Sequence, residues 1–107
     1  GRDARQWSQL PRAVARGEVA ALGDWSPAEA VDALQKLCHD LLATAAGGVP
    51  RFFAAQDLPA GASLPQLAAW WRELAATMRT VEHPFNAGLM LESLVTRARA
   101  ALHSGRP

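Results

Sequence analysis

The sequence lacks tyrosine and isoleucine entirely and contains a single cysteine, Cys38. One cysteine excludes an internal disulfide and agrees with a reducing compartment. With no Tyr, 3 Phe and 4 Trp, the chain offers no aromatic platform for stacking single-stranded bases. No stretch alternates between apolar and polar residues over the length of a strand, and Asn-Gly turns are also missing, so the pattern predicts an all-α domain.

Excess charge and long apolar segments are lacking as well. The 11 basic and 10 acidic residues give a formal net charge of +1, which creates no broad field to attract nucleic acid or an anionic membrane. Lys36 is the only lysine, and the excess of Arg with Ala indicates a biased genome rather than a binding surface. No apolar run approaches the roughly 20 residues that cross a bilayer, and the N-terminus lacks a signal-peptide pattern. We therefore expect a soluble, cytoplasmic protein.

The length of the chain indicates one small domain. Its 107 residues can bury a single hydrophobic core, so residues 1–107 are expected to form one helical domain. Because the first residue is Gly rather than Met, we expect the chain to be a piece of a longer protein, although removal of an initiator Met before Gly would give the same first residue.

The clearest helix signal begins at Ser26-Pro27-Ala28-Glu29, a capping box with Pro at the first helical position. Apolar residues then recur at three- and four-residue steps up to about Ala46, where Gly47 and Gly48 are expected to stop the helix. This pattern predicts one long amphipathic helix.

Four further segments have helical patterns. Ser63 and Gln66 repeat the capping-box spacing before a stripe formed by Leu67, Trp71, Leu74, Met78 and Val81. The other three are a last helix over 87–103, a short helix over 51–56, and an N-terminal helix that Pro11 breaks or begins. A short turn of helix is expected over 18–22. The sequence thus predicts a compact bundle of about five helices.

A helix-to-helix corner is encoded by His83-Pro84-Phe85-Asn86. Pro84 pushes the preceding residue out of the α region, so the helix that begins after Ser63 should end near Glu82. Asn86 can cap the next helix, and Phe85 and Met90 have the spacing of a hydrophobic staple.

The motifs that would indicate catalysis or metal binding are missing. Gly47-Gly48 has no following Lys or hydroxyl residue, so it does not form a phosphate-binding loop. Neighbours on a helix point about 100° apart, which predicts a buried structural Cys38 and a solvated His39 rather than a zinc or nucleophile pair. The acidic residues are scattered over polar faces and caps. We therefore predict no catalytic, cofactor-binding or metal-binding residue and no cofactor.

Four residues are candidates for a protein interface: Trp70, Arg72, Arg79 and Arg97. Trp71 lies at the centre of its helical stripe and is predicted to be in the core, whereas Trp70 lies on the flank. Trp70 either anchors a partner helix or packs against the loop of residues 47–62, since an amphipathic ring suits both positions.

Several of these segments together resemble a known family. They are residues 83–86 with flanks 70–74 and 89–94, and upstream residues 26–30, 39–42 and 5–7. In this order they are similar to the C-terminal domain of the delta-prime subunit of bacterial DNA polymerase III clamp loaders, whose last two helices are commonly joined by a His-Pro-hydrophobic-Asn segment. The resemblance covers most of the chain, but residues 43–66 carry no signature of this family.

The resemblance implies a role in DNA replication. The chain would be the C-terminal collar domain that holds the clamp-loader pentamer together, with the helical collar domains of the delta and tau/gamma subunits as partners. The domain itself would be neither an enzyme nor a direct nucleic-acid binder, although its parent complex would be a DNA-directed DNA polymerase holoenzyme with a clamp-loading ATPase that binds DNA. The alternative is a free-standing α-helical adaptor or ligand-binding domain.

Overall fold

Four α-helices make up most of the computed structural model, which describes residues 3–81 and 86–103. They are α1 (Ala4–Ala15), α2 (Pro27–Ala45), α3 (Leu64–Met78) and α4 (Ala87–Leu102), with short 3₁₀ turns at Val19–Leu22 and Ala55–Asp57. No strand occurs in these two ranges, so the all-α prediction is confirmed there. The prediction of about five helices is slightly wrong, because residues 51–54 form bends and an irregular link, and only one 3₁₀ turn follows.

Each α-helix begins at a residue whose side chain accepts a hydrogen bond from the first turn. Asp3 and Ser26 form complete capping boxes with Gln6 and Glu29. Ser63 caps α3, and Asn86 caps α4 by accepting from the N–H of Leu89 at 2.9 Å. The helix starts predicted at Ser26 and Asn86 are therefore confirmed.

Helix α1 runs unbroken through Pro11, contrary to the predicted break. A proline inside a helix removes one backbone hydrogen bond and costs about 3 kcal/mol. Contacts with the rest of the fold offset that cost, since Leu10, Pro11 and Val14 are buried and the Arg12 guanidinium donates to the carbonyl of Gln56 at 2.6 Å.

The helix ends follow the sequence less closely. Gly47 ends α2 with φ of +88°, a left-handed conformation that favours glycine. Helix α3 ends at Met78, earlier than the predicted Glu82, and residues 79–81 form a turn. The predicted end at Pro84 and the Phe85–Met90 staple involve residues 82–85, which lie outside the described residues.

Helix α2 is the centre of the core. It packs mainly against α3 and also against α4, while α1 packs against α4 and the two 3₁₀ turns. The buried residues of α2 spread around most of its circumference, as expected for a helix with neighbours on several sides; they are Ala30, Val31, Ala33, Leu34, Leu37, Cys38, Asp40 and Leu41.

The two adjacent tryptophans of α3 exchange their predicted environments. Trp70 is 2% exposed and Trp71 is 39% exposed. Both flank the line through Leu67 and Leu74, and α3 is rotated so that the Trp70 side faces the core. Val81 continues this buried side, whereas Met78 on the other side is only partly buried.

Candidate interaction surface

An open apolar groove of about 310 Å³ lies between α2 and α3. It is lined by His39, Leu42 and Ala43 from α2 and by Trp71 from α3. Trp71 is among the few large apolar side chains with substantial exposure in the described part of the chain. A half-exposed tryptophan in an apolar groove is typical of a surface that binds another protein, because it gains from being covered.

The groove continues along α3 as a second apolar stripe beside the core-facing one. We call this the outer stripe; it consists of Leu64, Ala68, Trp71, Ala75 and Met78. Leu64 is 51% exposed, and Ala68, Ala75 and Met78 are partly exposed. The spacing of four, three, four and three residues averages 3.5, the repeat that keeps one helix in contact with another along its length. The outer stripe can therefore receive a second helix.

Two of the predicted interface arginines border the outer stripe. Arg72 and Arg79 are both exposed, and each follows an outer-stripe residue by one position. Arg72 lies within α3 and Arg79 is its C-cap residue, with helical backbone angles. The spacing of seven residues places both on the same side of the helix. Within residues 3–81 and 86–103, neither arginine has an acidic partner.

The other two predicted interface residues come together elsewhere, in a crevice of about 130 Å³ between α3 and α4. Trp70 and Arg97 line this crevice, together with Gln66, Glu73, Ala100 and Ala101. The Arg97 guanidinium donates to the hydroxyl of Thr77 at 3.5 Å. The indole N–H of Trp70 is buried and has no hydrogen-bond partner among the residues that the structure describes. Trp70 is thus a core residue at the α3–α4 boundary. Of the two alternatives predicted for it, the half-exposed anchor does not fit its 2% exposure.

The loop after α2 is held by the carboxylate of Asp40, which is fully buried. One of its oxygens accepts from the N–H of Arg51, and the other accepts from the N–H groups of Phe52 and Phe53, each at 2.8 Å. Desolvation of the buried carboxylate opposes ionisation, but the hydrogen bonds from Arg51, His39, Phe53 and Phe52 outweigh it and lower the pKa of Asp40. The expectation that the acidic residues lie on polar faces and caps fails at this residue.

Aromatic stacking holds the same loop from its other side. The ring of Trp7 stacks on Phe53, with centroids 4.3 Å apart, and lies near Trp25 at 6.4 Å. The indole N–H of Trp7 donates to the carbonyl of Phe52 at 2.8 Å. The loop is therefore tied both to α2 and to α1.

The anchored loop positions His39, which belongs to the α2 wall of the groove. The ring of Phe52 meets His39 edge to face at 5.3 Å, and the Lys36 and Arg51 cations lie over the same ring. The Nδ1 atom of His39 lies 3.0 Å from a carboxylate oxygen of Asp40. These contacts hold the His39 ring at the edge of the groove, with 42% of its side chain exposed, which confirms its predicted solvated position.

Cys38 is buried, as predicted. Its thiol contacts the carbonyl of Leu67 at 3.4 Å, and burial raises the pKa of the Cys38 thiol to about 12. A thiol with such a pKa stays protonated near neutral pH and is a poor nucleophile or metal ligand.

Kinds of site other than this apolar groove also bear on function. Among the described residues, no group of three His, Cys, Asp or Glu side chains is placed to hold a metal ion. A larger, polar cavity of about 590 Å³ lies along α1, where Arg12, Arg16, Glu18 and Asp57 contribute its charged lining. No helix in residues 3–81 or 86–103 has the length and apolar character of a membrane span.

Sequence reasoning missed Asp40 and Trp71. Asp40 has a usable signal, because it lies three residues after Leu37 on the apolar side of α2 and is followed by a loop rich in Gly and Pro. The exposure of Trp71 also has a signal in the sequence, namely the outer stripe. The stripe predicted to face the core obscured it, because both stripes contain Trp71 and Met78.

Comparisons with known proteins identify no relative: no protein-family model, no curated protein and no solved structure matches this chain.

Proposed function

We propose that the chain is a protein-interaction domain, specifically the collar domain of a clamp-loader delta-prime subunit that binds the helical domains of the delta and tau/gamma subunits during DNA replication. The observation that carries the proposal is the open apolar groove between α2 and α3, with the half-exposed Trp71 in it. Aromatic side chains of this kind supply much of the binding energy at protein interfaces.

The assignment to this family rests on the sequence resemblance at residues 70–74, 83–86 and 89–94. In this reading the domain is cytoplasmic and has no catalytic role of its own. The sliding-clamp chemistry belongs to the ATPase-type modules of the assembly, and contact with DNA arises at the level of the complex.

Gel filtration with purified subunits tests the proposal. The chain is mixed with the delta and tau/gamma subunits, and co-elution in a larger complex is the expected result. Leu89→Ala serves as a control, because Leu89 is 63% exposed on α4 and does not line the groove. Elution of the wild-type chain as a free species at concentrations of about 50 µM, well above a typical specific dissociation constant, would contradict the family assignment.

A ligand-binding domain is the second candidate, and the cavity of about 590 Å³ along α1 favours it. Its volume lies in the range of small-molecule sites. The Arg16 guanidinium is already paired with Glu18 there, and the lining is polar and open. A polar anionic or zwitterionic molecule fits this lining better than an apolar one, and thermal stabilisation by such molecules would support this candidate.

A further inference from the structure

We propose that the outer stripe binds one amphipathic helix of a partner protein, and that this helix carries acidic residues along the edge facing Arg72 and Arg79. The inference rests on the proposed interaction function and adds the chemistry of the partner. It concerns the outer stripe as defined above, together with the groove wall formed by His39, Leu42 and Ala43 of α2.

The geometry of α3 favours a helix as the occupant. Leu64 and Met78 are fourteen positions apart, so the outer stripe extends for about 21 Å at 1.5 Å per residue. Its repeat of 3.5 residues keeps apolar side chains facing a neighbouring helix over that whole length. The small side chains of Ala68 and Ala75 on either side of Trp71 leave room for a partner's larger residues.

The charges beside the stripe favour an acidic partner. In a heptad description with Trp71 at position d, Arg72 and Arg79 both occupy position e, where side chains pair with charges on the opposing helix. The core side of α3, which contains Leu67 and Leu74, supplies no such charges. A helix with Glu or Asp along its matching edge would pair with both exposed arginines.

The same charges disfavour a second copy of this chain. A two-fold symmetric dimer would place the outer stripe against itself. In the antiparallel arrangement, Arg72 and Arg79 of one copy would face those of the other and the like charges would repel. In the parallel arrangement they would face Leu67 and Leu74, which offer no acidic partner. The stripe therefore fits a different chain better than its own copy.

Two synthetic helices test the proposal. Both have about 18 residues, are held helical by a hydrocarbon staple, and carry the same Leu and Ala stripe; one has Glu along its edges and the other has Lys. Binding is followed through the indole N–H signal of Trp71, one of four tryptophan signals, assigned with a Trp71→Phe variant. We expect the acidic helix to shift this signal with a dissociation constant of about 10 to 100 µM, and the basic helix to bind at least about tenfold more weakly.

Charge-reversal variants test the role of the two arginines. The double variant Arg72→Glu/Arg79→Glu should reverse the preference, so that the basic helix binds more tightly than the acidic one. The control is the single charge reversal Arg5→Glu, at an exposed site on α1. Arg12 is left unchanged because its guanidinium donates to the carbonyl of Gln56. Equal binding of both helices to the wild type, or an unchanged preference in the double variant, would overturn the proposal.

A third variant separates the stripe from nonspecific apolar binding. Trp71→Ala removes the reporter signal, so for this variant and for Leu89→Ala binding is followed through the fluorescence anisotropy of a dye-labelled acidic helix. Trp71→Ala should weaken the binding of that helix by about thirtyfold, as for truncation of an interface anchor, whereas Leu89→Ala should leave it unchanged. A stronger effect of Leu89→Ala would place the binding surface on α4 and overturn the proposal. Concentration-dependent dimerisation that Trp71→Ala abolishes would identify a second copy as the occupant and also overturn it.

The experiments can contradict the family assignment and the docking proposal independently of each other. If the acidic helix binds the outer stripe but the clamp-loader subunits do not bind the chain, the family assignment is wrong and the docking chemistry stands. If the subunits bind and neither Trp71→Ala nor the double arginine variant weakens that complex, the family assignment stands and the outer stripe is not the interface.

Discussion

Replacement of Asp40 by Asn should destabilise the fold more than any other change from acid to amide in the described part of the chain. The Asp40 carboxylate is fully buried and accepts three backbone hydrogen bonds from residues 51–53. Asparagine has only one acceptor oxygen. If that oxygen faces Phe52 and Phe53, the N–H of Arg51 is left opposite an NH₂ group, and the reverse orientation leaves two N–H groups unpaired.

The expected loss of unfolding free energy follows from these contacts. An unsatisfied buried N–H costs about 1–3 kcal/mol, and bonds to a charged acceptor contribute more than bonds to a neutral one. We therefore expect Asp40→Asn to lower the free energy of unfolding by about 2–4 kcal/mol, from a total of about 5–15 kcal/mol for a domain of this size. The control is Asp32→Asn, which removes a partly exposed pair with Lys36 and should cost only about 0.5 kcal/mol.

Urea denaturation followed by far-ultraviolet circular dichroism provides the measurement. Because the folded-state pKa of Asp40 is lowered, its ionised form stabilises the fold above the unfolded pKa of about 3.9, and this contribution is lost as the pH falls through the folded pKa. The difference between wild type and Asp40→Asn should therefore be constant near neutral pH and shrink below about pH 4. A difference at neutral pH equal to that of Asp32→Asn would refute the reasoning.

Three further predictions concern single contacts. Asn86→Ala should lower the free energy of unfolding by about 1 kcal/mol through loss of the α4 cap, and an unchanged urea midpoint would contradict this. Trp7→Phe keeps an aromatic ring but removes the hydrogen bond to the carbonyl of Phe52, so the urea midpoint should fall by an amount equivalent to about 1 kcal/mol. The Cys38 thiol should react with a disulfide reagent only after the chain unfolds, because it is buried and its pKa is raised; rapid reaction of the native protein would show that the site opens readily.

The helix starts could be predicted because their determinants lie within four residues of one another. Ser26 and Glu29 encode a capping box wherever the chain folds, and the structure contains it. The side-chain cap of Asn86 is equally local. The end of α3 could not be predicted as well, because a proline in the sequence marks only the limit that a helix can reach, and α3 ends at Met78 before that limit.

Pro11 and the tryptophan pair show where local rules fail. The propensity of proline to break a helix is real, but α1 is held from outside by buried Leu10 and Val14 and by the Arg12 contact. The choice between Trp70 and Trp71 depends on a small rotation of α3 about its axis. That rotation is determined by how α3 packs against α2 and α4, which no pattern within α3 encodes.

The anchoring of residues 51–53 by Asp40 could not be predicted from the sequence for a related reason. Asp40 and the N–H groups of residues 51–53 are brought together by the turn after α2, and no local motif marks that pairing. The groove needs the same information, since His39 and Trp71 come from different helices. Composition and helical periodicity therefore predict the elements of this fold but not the surface between them.

The proposed binding of this chain to other clamp-loader subunits through the groove between α2 and α3 is tested most directly by isothermal titration calorimetry. The chain is titrated into an assembly of the delta and tau/gamma subunits, beside the Trp71→Ala and Leu89→Ala variants. We predict saturable binding of the wild type and of Leu89→Ala, with Trp71→Ala weaker by at least about tenfold. Absence of binding heat from the wild-type chain, confirmed by its separate sedimentation from the assembly, would contradict the claim.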